Sequence, residues 1–280
     1  MATREEAVSH TTEKPAGTTI AICSATGGNG RTMITVNLSS LLAERGYKVT
    51  AVDGDLQFGD ISLALDLQPS YTIKDAVNNQ GSESILNFCS EHESGLRLLA
   101  APTRPEEADL VTEEHLDSIL SSLQSENDYV VIDTTAGLND RSLPVLEKAD
   151  YILVVTTGSM AALKNANLML QILDTLELKS RASVIVNRST AEGNLSAEDL
   201  IDLLKIERLY YLPEDRKNVS YAFNTGRVLT TILPNLEVSK AIIAMVDQLF
   251  LERQEGHQRE SNRFLQNVMS RMKNVRRSSS

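Results

Sequence analysis

Six short apolar runs recur along this chain, separated by segments with helical spacing, and that alternation limits the fold more than any other feature. The runs are Thr18–Cys23, Lys48–Asp53, Leu96–Ala100, Tyr129–Asp133, Tyr151–Thr156 and Ala182–Asn187. Each is too short for a helix and nearly all apolar, which predicts strands covered on both faces. Between them, Thr32–Arg45 places Ile34, Leu38, Leu41 and Leu42 on one helical face and stops at Gly46, a C′ glycine. His115–Leu123 and Ala161–Leu176 have the same spacing, and Ser196 with Asp199 predicts another helix start, a capping-box variant. The alternation continues over more than 200 residues. It predicts an α/β protein with three layers, α/β/α, whose central sheet is mostly parallel with helices on both faces. Ligands of such folds bind beyond the carboxyl ends of the strands.

Charge divides the chain. The total is −11, yet residues 261–280 hold Arg263, Arg271, Lys273, Arg276 and Arg277 and no acid, so the tail carries +5 and the rest −16. The acidic body argues against nucleic acid as a partner. Within the tail, Phe264, Leu265, Val268, Met269, Met272 and Val275 fall in an arc of about 140° at helical pitch, with Lys273 on the polar side and Arg271 at its border. That is the pattern of a helix lying on an anionic membrane surface, its arginine stems snorkelling. Docking on the body or on a partner protein, and a disordered basic tail, are the competing readings. The chain thus reads as a flexible polar arm (1–17), an α/β domain (18–252), and a linker with a basic amphipathic helix (253–280). The N-terminus lacks the apolar stretch of a signal peptide, and no run approaches the ~20 residues of a membrane span. Cys23 and Cys89 read as free thiols of a reducing compartment, and the four histidines have no metal-ligand spacing.

The chemistry concentrates in Ala25–Thr32, which follows a strand and opens a helix. Gly27, Gly28 and Gly30 let backbone N–H groups turn inward around phosphate oxygens, and the helix N-terminus adds partial positive charge. The Thr32 hydroxyl is placed for Mg²⁺. Ala25 and Arg31 stand where the usual phosphate-loop pattern has its first glycine and its lysine. Asp133, at a strand end, suits a second-shell role on the metal through water, and Asp55, after the second strand, suits orienting an attacking water.

These motifs resemble the MinD/ParA group of P-loop ATPases, whose deviant loop has the form K-G-G-x-G-K-T-T. Here the stretch is Thr26-Gly27-Gly28-Asn29-Gly30-Arg31-Thr32-Met33. The segments Asp53–Asp60 and Asp133–Asp140, together with 95–102 and 161–165, are most similar to the CpaE/TadZ branch, which localises and helps assemble Flp-type pili. The resemblance implies a P-loop NTPase fold over roughly residues 18–250 that binds ATP and Mg²⁺. Thr26 to Met33 would surround the phosphates, Arg31 and Asp55 would act catalytically, and Asp55 would also lie near the metal. Gly137 would be ordered by the γ-phosphate, while Asn187, Pro213 and Asp215 would frame the adenine. It further implies an ATP-dependent homodimer, peripheral attachment to the inner face of the cell membrane, and a cytoplasmic body that organises pilus-assembly or secretion components. A placement regulator for flagella or division, a ParA-like DNA-segregation ATPase and a scaffold that never hydrolyses ATP are the alternatives. Thr26 stands where the family has the lysine that reaches a dimer partner's phosphates, and Arg31 replaces a compact ammonium by a planar fork. Both departures point to slow or absent hydrolysis.

Overall fold

The computed structural model of the 280-residue chain describes residues 16–79, 83–189 and 196–249. The polar arm up to residue 15 and the basic tail with Phe264, Leu265, Val268, Met269, Arg271, Met272 and Lys273 lie outside the described residues.

Among the described residues eight strands form one sheet: β1 (Thr18–Ser24), β2 (Val49–Gly54), β3 (Ser90–Glu91), β4 (Arg97–Leu99), β5 (Tyr129–Ala136), β6 (Tyr151–Thr157), β7 (Ala182–Ser189) and β8 (Leu209–Pro213). Their order is β3-β4-β2-β5-β1-β6-β7-β8. Every pairing is parallel except β3 with β4 at the edge. The six expected strands all form. The two additional ones are edge strands: β3 is polar and only two residues long, and β8 is a short Leu-Tyr-Tyr-Leu run that ends in a proline, as edge strands allow.

Alternate residues of the central strands feed two separate cores. Ala21, Cys23, Val130, Ile132, Ile152 and Val154 pack under α3 (Ile73–Asn78), α4 (Glu113–Glu126), α5 (Ser142–Lys148), α6 (Met160–Thr175) and α7 (Ala197–Leu204). Ile20, Ile22, Val131, Leu153 and Val155 pack under α1 (Arg31–Glu44), α2 (Ile61–Ala64), α8 (Arg216–Asn224), α9 (Leu229–Ile232) and a helix over 237–249, α10. This is the expected three-layer arrangement with helices on both faces.

Helix α1 differs from the single apolar face its spacing predicts. Residues Met33 through Ala43 are all buried, Thr35, Asn37, Ser39 and Ser40 among them. The sheet covers one side, and α9 and α10 contribute Leu229, Val238 and Ile242 to the same core. Asn37 is satisfied by donating to the Met33 carbonyl and accepting from the Thr230 N–H. The helix closes as expected: the Gly46 N–H bonds the Ala43 carbonyl and the Tyr47 N–H the Leu42 carbonyl, with Gly46 at φ +87°. Ser196 and Asp199 form the capping box of α7. We predict that Ser196→Ala lowers stability by about 1 kcal/mol, read as a shift in denaturation midpoint with unchanged m-value.

Candidate nucleotide site at the carboxyl edge of the sheet

Strand β1 lies at the middle of the sheet between β5 and β6, and its carboxyl end feeds directly into the glycine loop and α1. Parallel register sets Asp53 of β2 beside Asp133 of β5 and Ile22 of β1 on the other side of Asp133. Two acids distant in sequence thus reach one edge of the sheet, against the loop.

The loop is built for close approach. Gly28 and Gly30 have φ +76° and +96°, a region that L side chains enter at a cost. Around Gly27 and Gly28 there is open space where a side chain would stand. Gly30 is the N-cap of α1 and, among the described residues, no side chain caps the helix. The first-turn N–H groups, which have no intrahelical acceptors, are therefore free of side-chain partners in front of the glycines. Asn29 ties the loop down, its amide reaching the Thr26 carbonyl and hydroxyl at 3.2 Å each. Asn187 donates to the Asn29 carbonyl at 2.8 Å.

Thr32 Oγ1 donates to Asp133 Oδ2 at 2.7 Å. Arg31 turns inward. Its NH1 donates to Ser24 Oγ at 2.8 Å, and it forms ion pairs with Asp133 at 3.4 Å and Asp55 at 3.5 Å. Burial pushes the Asp133 carboxyl up to about 6, against the Thr32 and Arg31 contacts, which hold it down, and Asp55 adds to the rise. Asp53 is raised well above the usual carboxylate range by burial and then by the Asp133 charge. One of its oxygens accepts the Ile61 N–H and the other has no hydrogen-bond partner among the described residues.

A cavity of about 530 Å³ opens in front of this cluster. The glycine loop from Gly27 to Met33, Asp55, Asn187, Pro213 and Asp215 line it. Pro213 ends β8, and Asp215 caps α8 by accepting the Asn218 N–H at 3.1 Å. Thr26 and Gly137 stand outside the lining: Thr26 holds Asn29, and the Gly137 N–H bonds the Ser24 carbonyl at 2.8 Å. Arg141, which follows β5, pairs with Asp109 at 2.8 Å and is not part of this lining. Two features escaped the sequence reading. Val219, Ser220, Phe223 and Asn224 form a cavity wall along one side of α8, and their i, i+1, i+4, i+5 spacing is the signal that would have found them. Ser24, the last residue of an otherwise apolar strand, is the hydroxyl that holds Arg31.

The residues fit a nucleotide with its divalent ion. Among the described residues no group of three or more His, Cys, Asp and Glu side chains is placed to hold a metal ion. A hard cation at Thr32 and Asp133 would need phosphate oxygens and water to complete its shell, the usual manner for Mg²⁺. The uncapped helix start and the open glycines suit those phosphates.

Parallel sheet, glycine loop, helix start and a strand-end carboxylate on the loop threonine together define a P-loop nucleotide-binding protein. A family model described as an AAA domain matches residues 17–186. The chain belongs to that family, within the MinD/ParA superfamily of P-loop ATPases. The septum site-determining protein MinD of Synechocystis is 29% identical over 245 residues, covering 85% of this chain and 89% of that protein. The MinD of Thermotoga maritima is 28% identical over 232 residues, 80% of this chain and 84% of that protein. The solved structure of the septum site-determining protein MinD from Pyrococcus horikoshii with Mg-ADP superposes with a TM-score of 0.75 at 24% identity, over 83% of this chain and 96% of that one. The MinC:MinD complex of Aquifex aeolicus gives 0.72 at 26% identity, over 84% and 96%. No helix among the described residues is long and apolar enough to cross a membrane.

The burial of Asp133 has a measurable consequence. A folded-state value near 6 against an ordinary 3.8 means the native state keeps this proton to higher pH than the unfolded chain. Stability therefore falls as pH rises from about 4 to 6, and the full cost is present above 6. Asp133→Asn is expected to raise the melting temperature of nucleotide-free protein at pH 7.5 and to flatten its pH dependence between 4 and 6. Thermal scans across that range measure both.

Proposed function

We propose that this protein is an ATP-binding switch that acts as a spatial regulator, in the manner of the septum site-determining relatives. The observation that carries the reading is the Thr32–Asp133 hydrogen bond behind an uncapped helix start that faces the 530 Å³ cavity. Gly27 to Met33 would cradle the phosphates. Thr32 would bind Mg²⁺ directly, with Asp133 behind it in the second shell, and Arg31 would lie against phosphate. Asp55 would orient the attacking water near the metal. Asn187, Pro213 and Asp215 would face the base, and Gly137 would move with the switch that follows β5. When bound, the ion neutralises phosphate charge; the protein supplies position and counter-charge.

The relatives named above are septum-site proteins, which favours the placement regulator over the pilus-assembly branch that the sequence motifs suggested. Pilus-assembly or secretion components remain the second reading, supported by those motifs alone. An ATP-dependent homodimer is part of the proposal, as is attachment through Phe264, Leu265, Val268, Met269 and Met272 with Arg271 and Lys273. Two tails on one dimer would raise membrane avidity. Since Thr26 carries no charge, a partner's phosphates would receive no cation from this position, and hydrolysis would be slow.

Light scattering with no nucleotide, Mg·ADP and Mg·ATP tests the switch, with flotation on anionic vesicles in the same three states. A doubling of mass and vesicle binding with Mg·ATP alone is the expected result. Constant mass with nucleotide bound would reject the switch, and no bound nucleotide would reject the site.

A further inference from the structure

The role of Arg31 goes beyond replacing a lysine. Its guanidinium meets three groups from three parts of the chain: Ser24 at the end of β1, Asp133 on β5, and Asp55 on the loop after β2. The Arg31 side chain is only 10% exposed. Ser24 is fully buried, and its hydroxyl also donates to the Thr26 carbonyl at 2.7 Å. A planar fork spans three separated acceptors in a way a compact ammonium does not.

The Asp55 end of this bridge belongs to an otherwise anchored loop. Asp53 accepts the Ile61 N–H at 3.1 Å, and its carboxyl group packs so closely on Gly59 that a Cβ there would overlap it. The Phe58 N–H lies 3.4 Å from Asp55 Oδ1. Residues 54–60 are thus closed on the β2 side by Asp53 and on the α1 side by Arg31. Phe58, at the tip, is 72% exposed and lines the nucleotide cavity together with Asp55.

We infer that Ser24 is a positioning residue that latches Arg31 onto Asp55 and Asp133 in the nucleotide-free protein, so that the arginine serves as the internal cation of an otherwise uncompensated acidic cluster. The inference rests on the proposed Mg·ATP reading for its second half only. The latched guanidinium supplies Asp133 with the positive charge that a divalent ion beside Thr32 would supply. Each state of the site therefore has one cation at Asp133, and occupancy of the nucleotide site opposes the latch. Arg31 released from Ser24 and Asp55 is free to turn toward phosphate, and the loop that carries Asp55 is free to move with it. Binding thereby couples to the 54–60 loop through competition for one buried carboxylate, and apparent affinity is reduced by the fraction of molecules latched.

Ser24→Ala separates this role from a structural one. It removes the hydroxyl at NH1 and leaves Arg31, Asp55 and Asp133 in place. Two readouts are taken on the full chain. Hydrogen exchange of amides 54–60 without nucleotide is expected to quicken about tenfold, the scale of one hydrogen bond to a charged group. Affinity for Mg·ATP, followed with a fluorescent analogue, is expected to tighten by about three- to tenfold while the nucleotide-free melting temperature falls. A purely structural serine would weaken stability and affinity together. Arg31→Lys, too compact to reach all three acceptors, should quicken the same amides and guards against a local defect peculiar to the alanine.

Unchanged exchange at 54–60 in both variants overturns the latch whatever the nucleotide does. Faster exchange with weaker nucleotide binding in Ser24→Ala also overturns it, because the latched pose would then assist binding. If the wild-type protein binds no nucleotide, the functional reading falls, and the latch is judged by exchange alone, faster exchange upholding it.

Discussion

Gly30→Val is expected to reduce nucleotide affinity by about 100-fold or more while the protein stays folded. Two effects act at this position. Gly30 sits at φ +96°, and a side chain there would overlap the Asn187 amide, itself bonded to the Asn29 carbonyl at 2.8 Å. A β-branched residue cannot hold that conformation without strain of roughly 1–3 kcal/mol. The loop would relax by turning its peptide planes, and the N–H groups at the start of α1 would no longer converge on one point. Anion binding by backbone depends on that convergence. Gly46→Ala is the control. Gly46 has φ +87° with open space around it, and it closes α1 at the far end from the cavity. It should lose about 1 kcal/mol of stability and no affinity. Calorimetric titration of both variants with Mg·ATP decides the matter: equal losses would mean that the glycine loop does not contact phosphate.

Arg31→Ala is expected to destabilise the nucleotide-free protein by about 3–5 kcal/mol, the usual penalty for stripping one partner from a buried ion pair. Asp133, with its side chain 2% exposed, would lose its nearby cation and face Asp55 and Asp53 without compensation. Adding Asp133→Asn should recover most of the loss. The coupling in that double-mutant cycle, read from denaturant midpoints, measures the Arg31–Asp133 interaction itself. Additive effects would place the guanidinium elsewhere in solution. Mg²⁺ alone should stabilise Arg31→Ala more than wild type, because the vacated carboxylates accept a divalent ion.

Most of the α/β architecture was legible in order along the chain. Buried parallel strands are continuous apolar runs, and Tyr129–Ile132 and Tyr151–Val155 announce themselves without context. The end of α1 was legible because Gly46 satisfies a local backbone demand. What local pattern conceals is lateral order and edge structure. No residue of β8 signals that it pairs with β7, and α1 reads as amphipathic although α9 and α10 bury its second side. The pilus branch rests on local motifs alone. The segments that suggested pilus assembly are short, whereas similarity across 85% of the chain leads to septum-site relatives.

The glycine loop, its threonine and the two strand-end acids were readable as chemistry, since spacing along one strand–turn–helix unit fixes what the backbone can present. The sequence by itself thus determined a mostly parallel sheet with a glycine-rich turn and a helix start after its first strand. The tertiary structure alone decided which side chains share a charge. Arg31 lines the cavity, but where its guanidinium goes is set by the packed sheet: parallel register brings Asp133 of β5 beside β1, and the Ser24 hydroxyl holds the guanidinium toward it. Electrostatic pairing depends on distances between residues about a hundred positions apart, and only the packed sheet sets those distances.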